Sequence, residues 1–380
     1  MWVAVRARYH WLGRFSVDGF RLVARALSAS GCPPRGTALT GGMLVRVERR
    51  TQVRWAVAAL AVVSLTSCAR VAPAAAAPTL GCGDSGPVAV LAGVQVDGGP
   101  AQLFGLDANM KLDQLTDDGL SFDGSLSGDG VWLSFTRNDG TEWAGAPSQP
   151  DKAFVVDLTT DREQLLFDGL AVWSPTVSPD NATVVFAAVA DGEGSAGVRL
   201  YTTGVPTTGP PERVTSAPDQ QEVSEVLPVW SAAGDRLAFV VQEPGDRGNI
   251  TAVLRVLEWP SRELRAEIPL PAELSSPISL SWSPGDEILA NASTTSASDL
   301  SSTYTTFRID TIAGRVSAIL DGGAFDTAVT ADELSVVGLS QGETGAAIEF
   351  FRDGKLSAHE DLPLASAADF RLRSCGGRGP

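Results

Sequence analysis

Lysine is scarce in this chain, occurring only at Lys111, Lys152 and Lys355. Basic residues number 29 against 45 acidic ones, a net charge of −16 over 380 residues. The imbalance is uneven. Residues 1–67 hold ten arginines and two acids, Asp18 and Glu48, which leaves 19 basic and 43 acidic residues from Cys68 onward, a net of −24. Such a surface repels phosphate backbones, which argues against nucleic acid as a partner. It also resists nonspecific adhesion to anionic lipid and favours solubility. His10 and His359 are the two histidines, and the four cysteines are Cys32, Cys68, Cys82 and Cys375. So few soft ligands exclude a zinc or iron centre. No D-x-D-x-D-G calcium loop and no G-x-x-x-x-G-K-[ST] phosphate loop occurs. No metal and no cofactor is expected. What is abundant instead is glycine (39) and proline (23), which suits many short strands and turns better than long helices.

The apolar stretch WAVAALAVVSL, Trp55–Leu65, is too short to span a bilayer comfortably but has the length of a signal-peptide core. The basic segment MLVRVERRTQVR, Met43–Arg54, precedes it, and Leu65-Thr66-Ser67-Cys68 follows it. This order resembles the export signal and lipobox of bacterial lipoproteins. The resemblance implies cleavage between Ser67 and Cys68, diacylation of the Cys68 thiol, and a mature chain that starts at Cys68. Residues 43–67 then form the signal peptide and residues 1–42 an extension upstream of the true start at Met43. Arg49-Arg50 lacks the wider twin-arginine context, so ordinary export is expected. Residues 68–86 hold an Ala/Pro-rich segment with little to bury, which reads as an extended tether.

From residue 87 the chain repeats. GSLSGDGVWLSF, PTVSPDNATVVF, PVWSAAGDRLAF, SLSWSPGDEILA and TAVTADELSVV align on Ser127, Ser178, Ser231, Ser283 and Thr330, at spacings of 51, 53, 52 and 47. Each kernel has an apolar residue before the hydroxyl, a turn rich in Pro, Gly, Asp or Asn, and a β-rich apolar run after it. Two more strand-like segments follow each kernel, for four strands per unit, the pattern of propeller blades. The kernel, clearest as Trp282-Ser283-Pro284-Gly285, resembles the repeat of TolB-type, WD-repeat-like β-propellers over roughly residues 87–373. The resemblance implies an all-β, six-bladed propeller of four-stranded antiparallel blades in the cell envelope, used for protein contacts. The N-terminal α/β domain of TolB itself is missing.

Five kernels are complete, and a sixth unit, beginning at Pro87, lacks its first strand. Ala368–Ser374 is the candidate to supply it, so that strands from both termini close the ring and leave no long open edge. Residues 87–375 are then the propeller and 376–380 a disordered tail. Cys82 precedes the first strand of the incomplete blade and Cys375 follows the supplied strand, so a Cys82–Cys375 disulfide is expected, as an exported protein permits.

Gly338–Gly342 reads GLSQG and matches the hydrolase motif G-x-S-x-G, but a strand rather than a helix follows. A Ser340–Asp353–His359 triad is therefore set aside, and Ser340 is expected in a turn between two strands of the sixth blade. Asn181, Asn249 and Asn291 head glycosylation triplets that carry no meaning in a bacterium. Trp230 and Trp282 are expected in the core between blades, whereas Trp143, in a long loop, is the candidate partner contact. The loops after the second strands of the third and fourth blades are candidate binding loops. The chain reads as a noncatalytic, lipid-anchored interaction module on the extracytoplasmic face of the cell membrane, docking another envelope protein. The alternative is a channel that binds a sugar or cell-wall fragment, and a propeller hydrolase or lyase ranks third.

Overall fold

A computed structural model describes residues 87–95, 99–117, 120–138, 152–169, 171–189, 197–207, 209–216, 223–245, 249–283, 286–295, 302–321, 326–329, 336–341 and 345–372. All lie in the larger of the two units into which the chain divides, residues 76–380. Apart from a single 3-10 turn at Ala272–Leu274, every regular element described is a strand. The first three are β1 (Ala89–Gln95), β2 (Gln102–Leu106) and β3 (Leu112–Gln114). The second blade holds β4 (Leu120–Leu126), β5 (Trp132–Asn138), β6 (Lys152–Asp157) and β7 (Arg162–Asp168). The third holds β8 (Ala171–Val177), β9 (Thr183–Val189), β10 (Arg199–Gly204) and β11 (Glu212–Arg213). Next come β12 (Ser224–Trp230), β13 (Arg236–Pro244), β14 (Ile250–Glu258) and β15 (Leu264–Pro269). The fifth blade is β16 (Pro277–Trp282), β17 (Glu287–Thr295), β18 (Ser302–Asp310) and β19 (Arg315–Asp321). The sixth is β20 (Asp326–Val329), β21 (Val336–Gln341), β22 (Ala346–Arg352) and β23 (Lys355–Asp361), and β24 (Leu364–Leu372) follows.

These strands form six antiparallel four-stranded sheets, a six-bladed propeller. Five sheets run in sequence order. The remaining sheet, the first blade, has the order β24-β1-β2-β3, with Ala89 opposite Leu372 and Gly93 opposite Ala367. The strand β24 begins four residues earlier than the segment Ala368–Ser374 expected from sequence. Strands β4, β8, β12, β16, β20 and β24 are the innermost of their blades, and each packs against the next around a ring, with β24 returning to β4.

Burial follows position in the blade. VVFAA in β9 and LAFVV in β13 are buried throughout, because neighbouring blades cover both faces. The outermost strands β7, β15 and β19 each bury only one residue: Leu166, Ile268 and Leu320. The core therefore lies between blades rather than at one centre. Val185 and Leu200 of the third blade pack with Leu237 and Phe239 of the fourth. Val240 and Leu254 of the fourth meet Leu280, Ile288 and Phe307 of the fifth. Phe104 beside β24 meets Leu339 and Ile348 of the sixth. The junction of the fifth and sixth blades also holds polar groups: the fully buried Asn291 amide donates to Ser279 Oγ at 2.8 Å and accepts from Thr306 Oγ1 at 2.8 Å and Thr327 Oγ1 at 3.0 Å.

The repeated serine has a local job. Ser127 Oγ accepts from Trp132 N at 2.9 Å and donates to Asp129 at 2.7 Å. Ser178 Oγ accepts from Thr183 N at 3.0 Å and donates to Asp180. Ser231 Oγ accepts from Arg236 N at 3.1 Å and donates to Asp235 at 2.8 Å. Each buried hydroxyl thus closes the turn between the first and second strands and anchors the aspartate of that turn. Among the described residues Ser283 Oγ makes one hydrogen bond, donating to Glu287 O at 2.9 Å. The turns also touch one another, since the Asn181 side-chain amide donates to Asp129 Oδ2 of the preceding blade.

Candidate functional site

Each of β4, β8, β12, β16 and β24 carries a bulge, at Phe122/Ser125, Trp173/Thr176, Val226/Val229, Pro277/Ser279 and opposite Val90/Ala92. A bulge removes one residue from the ladder and re-aims it. At four of them a non-glycine residue sits in the left-handed region: Asp123 (φ 52), Ser174 (φ 48), Leu227 (φ 56) and Asp369 (φ 54). Aspartate tolerates this conformation through its short polar side chain. Gly124, next to Asp123, allows the close approach of the first blade, since a Cβ there would meet Val90 Cγ2 at 2.9 Å.

The re-aimed side chains link one inner strand to the next. Asp326 on β20 accepts from the backbone N–H of Phe370 on β24. Asp369 Oδ2 on β24 accepts from Asp123 N on β4 at 3.4 Å, and Asp123 Oδ2 accepts from Ser174 N on β8 at 3.1 Å. Arg371 of β24 reaches over to Ser174 Oγ at 3.5 Å. Four consecutive inner strands are thus stitched by carboxylates that accept from the neighbouring strand's backbone. The relay ends at β12, where the equivalent residue is Leu227.

Three carboxyl groups share this place with a single guanidinium. Burial, then the nearby carboxylates of Asp123 and Asp326, push Asp369 up to about 7 against the pull of Arg371. Burial likewise pushes Asp326 up to about 7, opposed by Arg371 and by the hydroxyl of Ser279. The cluster can hold or release protons near neutrality, and its hydrogen bonds tie blades together. Among the described residues, no group of three or more His, Cys, Asp or Glu side chains is arranged to hold a metal ion.

The residues expected from sequence fall elsewhere. Ser127, Ser178, Ser231 and Ser283 are buried in the turns described above. Ser67, Cys68, Cys82, Trp143, Thr330 and Cys375 lie outside the described residues, as do residues 190–196 and 246–248 of the two candidate loops. Trp230 is buried, its Nε1 donating across the blade boundary to Thr176 O at 3.2 Å, and Trp282 is half-buried beneath the Arg236 guanidinium at 5.1 Å. Ser340 is not in a turn. It lies within β21, paired with Ala347, because the strand runs on to Gln341, whose side chain is held by Ala365 O and Ala367 N. His359 is on the outermost strand β23 with Asp361 at 3.0 Å and Glu349 at 3.5 Å, so its partners are not Ser340 and Asp353.

The chain matches no known family profile, and no curated protein matches it. Among solved structures it is similar to TolB from Acinetobacter baumannii, with a TM-score of 0.54 and 14% identity over 74% of this chain and 65% of that one. The fold is a TolB-like β-propeller. The putative TolB from Agrobacterium tumefaciens (TM-score 0.47, 14% identity, 74% of this chain and 94% of that one) is also similar. So is the tricorn protease, with a TM-score of 0.47 and 11% identity over 76% of this chain and 30% of that one. The chain spans 65% of the length of the first of these structures.

The carboxylate relay of this propeller was missed in the sequence, although a signal exists. Counting back four residues from each repeated hydroxyl gives Asp123, Ser174, Leu227, Ser279 and Asp326. Two of five are acidic in otherwise apolar strands. Their meaning depends on the ring that makes them neighbours, and Asp369 and Arg371 belong to no kernel at all.

Proposed function

We propose that this propeller is a noncatalytic protein-interaction module of the bacterial cell envelope, held at the extracytoplasmic face of the membrane by a lipid on Cys68. The TolB-like fold and the lipobox-like sequence Leu65–Cys68 support this reading. The observation that carries it is the carboxylate relay. Asp123, Asp326 and Asp369, which form the main charged cluster described on the inner strands, accept hydrogen bonds from neighbouring backbone. Groups committed to holding blades together make a stiff disc, and a stiff disc with loops on two faces suits docking. The lipid supplies location, residues 68–86 supply reach, and the acidic surface, with Trp143 as a candidate contact, supplies the docking face. A Cys82–Cys375 disulfide belongs to the same proposal.

The test is in-cell crosslinking of the full lipoprotein followed by mass spectrometry, with Cys68→Ser as the unanchored control. One dominant envelope protein, lost in the control, is the expected result. Absence of a reproducible partner, or the same partner at full yield in the control, overturns the proposal.

A further inference from the structure

We infer that the cluster of Asp123, Asp326, Asp369 and Arg371 is a proton-operated clasp that fastens strand β24 into the ring. In the other five sheets every pairing joins strands consecutive in sequence, whereas β24 pairs with β1 from the far end of the ring. No short hairpin tethers that pairing, so nothing local restores it once it opens. What β24 has instead are its contacts to the strands on either side. Toward the other inner strands these are the acceptance of Phe370 N by Asp326 of β20, the 3.4 Å contact of Asp369 with Asp123 N of β4, and the 3.5 Å reach of Arg371 to Ser174 of β8.

The Asp369–Asp123 and Arg371–Ser174 contacts are long, and Arg371 Nε is buried without a hydrogen-bond partner. The charge count is unbalanced as well. With all three carboxyls ionised, one guanidinium faces three negative charges in a site where Asp326 is buried and Asp123, Asp369 and Arg371 are only partly exposed. With two of them protonated, the cluster is neutral. Other elements packed against β24 bring little compensating charge: β1, β16 and β21 have no ionisable side chain, and of the two on β22 Glu349 turns to His359 of β23 and Arg352 is exposed at the strand's end. Among the described residues, the side-chain hydrogen bonds to β24 that do not titrate are those of Gln341, at Ala365 and Ala367.

The direction follows. Burial holds the carboxyls of Asp326 and Asp369 in their protonated form up to about 7, above the ordinary value of 3.8. A folded-state value raised in an acid means that the ordered strand binds protons the released strand would lose. The clasp is therefore tightest below about pH 3.8 and loosens as pH rises from there to about 7, where the folded carboxyls ionise. Release uncovers Leu364 and Phe370, both about 1% exposed in the ring, together with the edge of β1.

Hydrogen exchange of the full chain with thiols kept reduced, corrected for the intrinsic pH dependence of exchange, tests this. Between about pH 5 and about pH 8, protection of the β24 and β1 amides is expected to fall at least ~tenfold, the equivalent of one unit of pKa difference. Protection of β13 and β14 is expected to change less than about twofold, since no member of the cluster touches them. Asp369→Asn and, independently, Asp326→Asn should flatten the β24 profile. Equal changes in β24 and β13, an unchanging β24, or an undiminished pH dependence in a folded Asn variant would each overturn the clasp.

Discussion

Replacing Ser178 with alanine isolates the chemistry of the repeat. The serine is buried at 2% exposure and its hydroxyl accepts the N–H of Thr183 at 3.0 Å. Alanine leaves that N–H without an acceptor in a half-buried turn, and frees Asp180, which is solvent-facing and rehydrates. The orphaned donor sets the loss, about 1.5 kcal/mol. With roughly 2–4 °C of melting temperature per kcal/mol in a domain of this class, thermal unfolding should drop by roughly 3–6 °C. Ser283→Ala is the internal control. Among the described residues its hydroxyl only donates, to Glu287 O, which already accepts from Ser283 N at 3.0 Å. No donor is orphaned, so the loss should be about 0.5–1 kcal/mol. Calorimetry of both variants checks the ordering. Equal losses, or a larger loss at Ser283, would refute the reasoning that the hydroxyl matters as an acceptor.

Other expectations concern the packing, the acids and the cysteines. Trp230→Ala removes a side chain 3% exposed, set edge-on against Trp259 at 4.9 Å and bonded to the next blade, and should lower stability by about 3–5 kcal/mol in denaturant unfolding. The hydrogen bond from Ser231, followed by the charge of Arg236, holds Asp235 below its ordinary 3.8 despite partial burial. That contribution is fully present above 3.8 and is lost as pH falls through the folded value, so Asp235→Asn should flatten the acid limb of a stability-versus-pH curve. The Cys82–Cys375 bridge predicts that neither thiol alkylates without reductant, and that reduction lowers stability by about 4–5 kcal/mol. Ready alkylation of both would dismiss the bridge.

The blades were legible because their causes are local. A serine, a turn of Pro, Asp or Gly, and an apolar run recur about every 50 residues, and each repeat makes its own hydrogen bonds within five residues of Ser178 or Ser231. Strand limits were less legible. Ser340 was expected in a turn, yet the strand carries on to Gln341 because a distant segment, Ala365–Ala367, holds that side chain. Similarly β24 starts at Leu364 rather than Ala368, because its length is set by β1, to which it pairs.

The carboxylate cluster belongs wholly to the tertiary structure. Asp123 and Asp369 are 246 residues apart in the chain and one hydrogen bond apart in the ring. Local sequence determined that each inner strand would be short, apolar and followed by a tight turn, since turn chemistry and side-chain periodicity act over a few residues. Only closure of the ring decided that three aspartates and one arginine would meet, since burial and charge act through space between residues that the sequence keeps far apart.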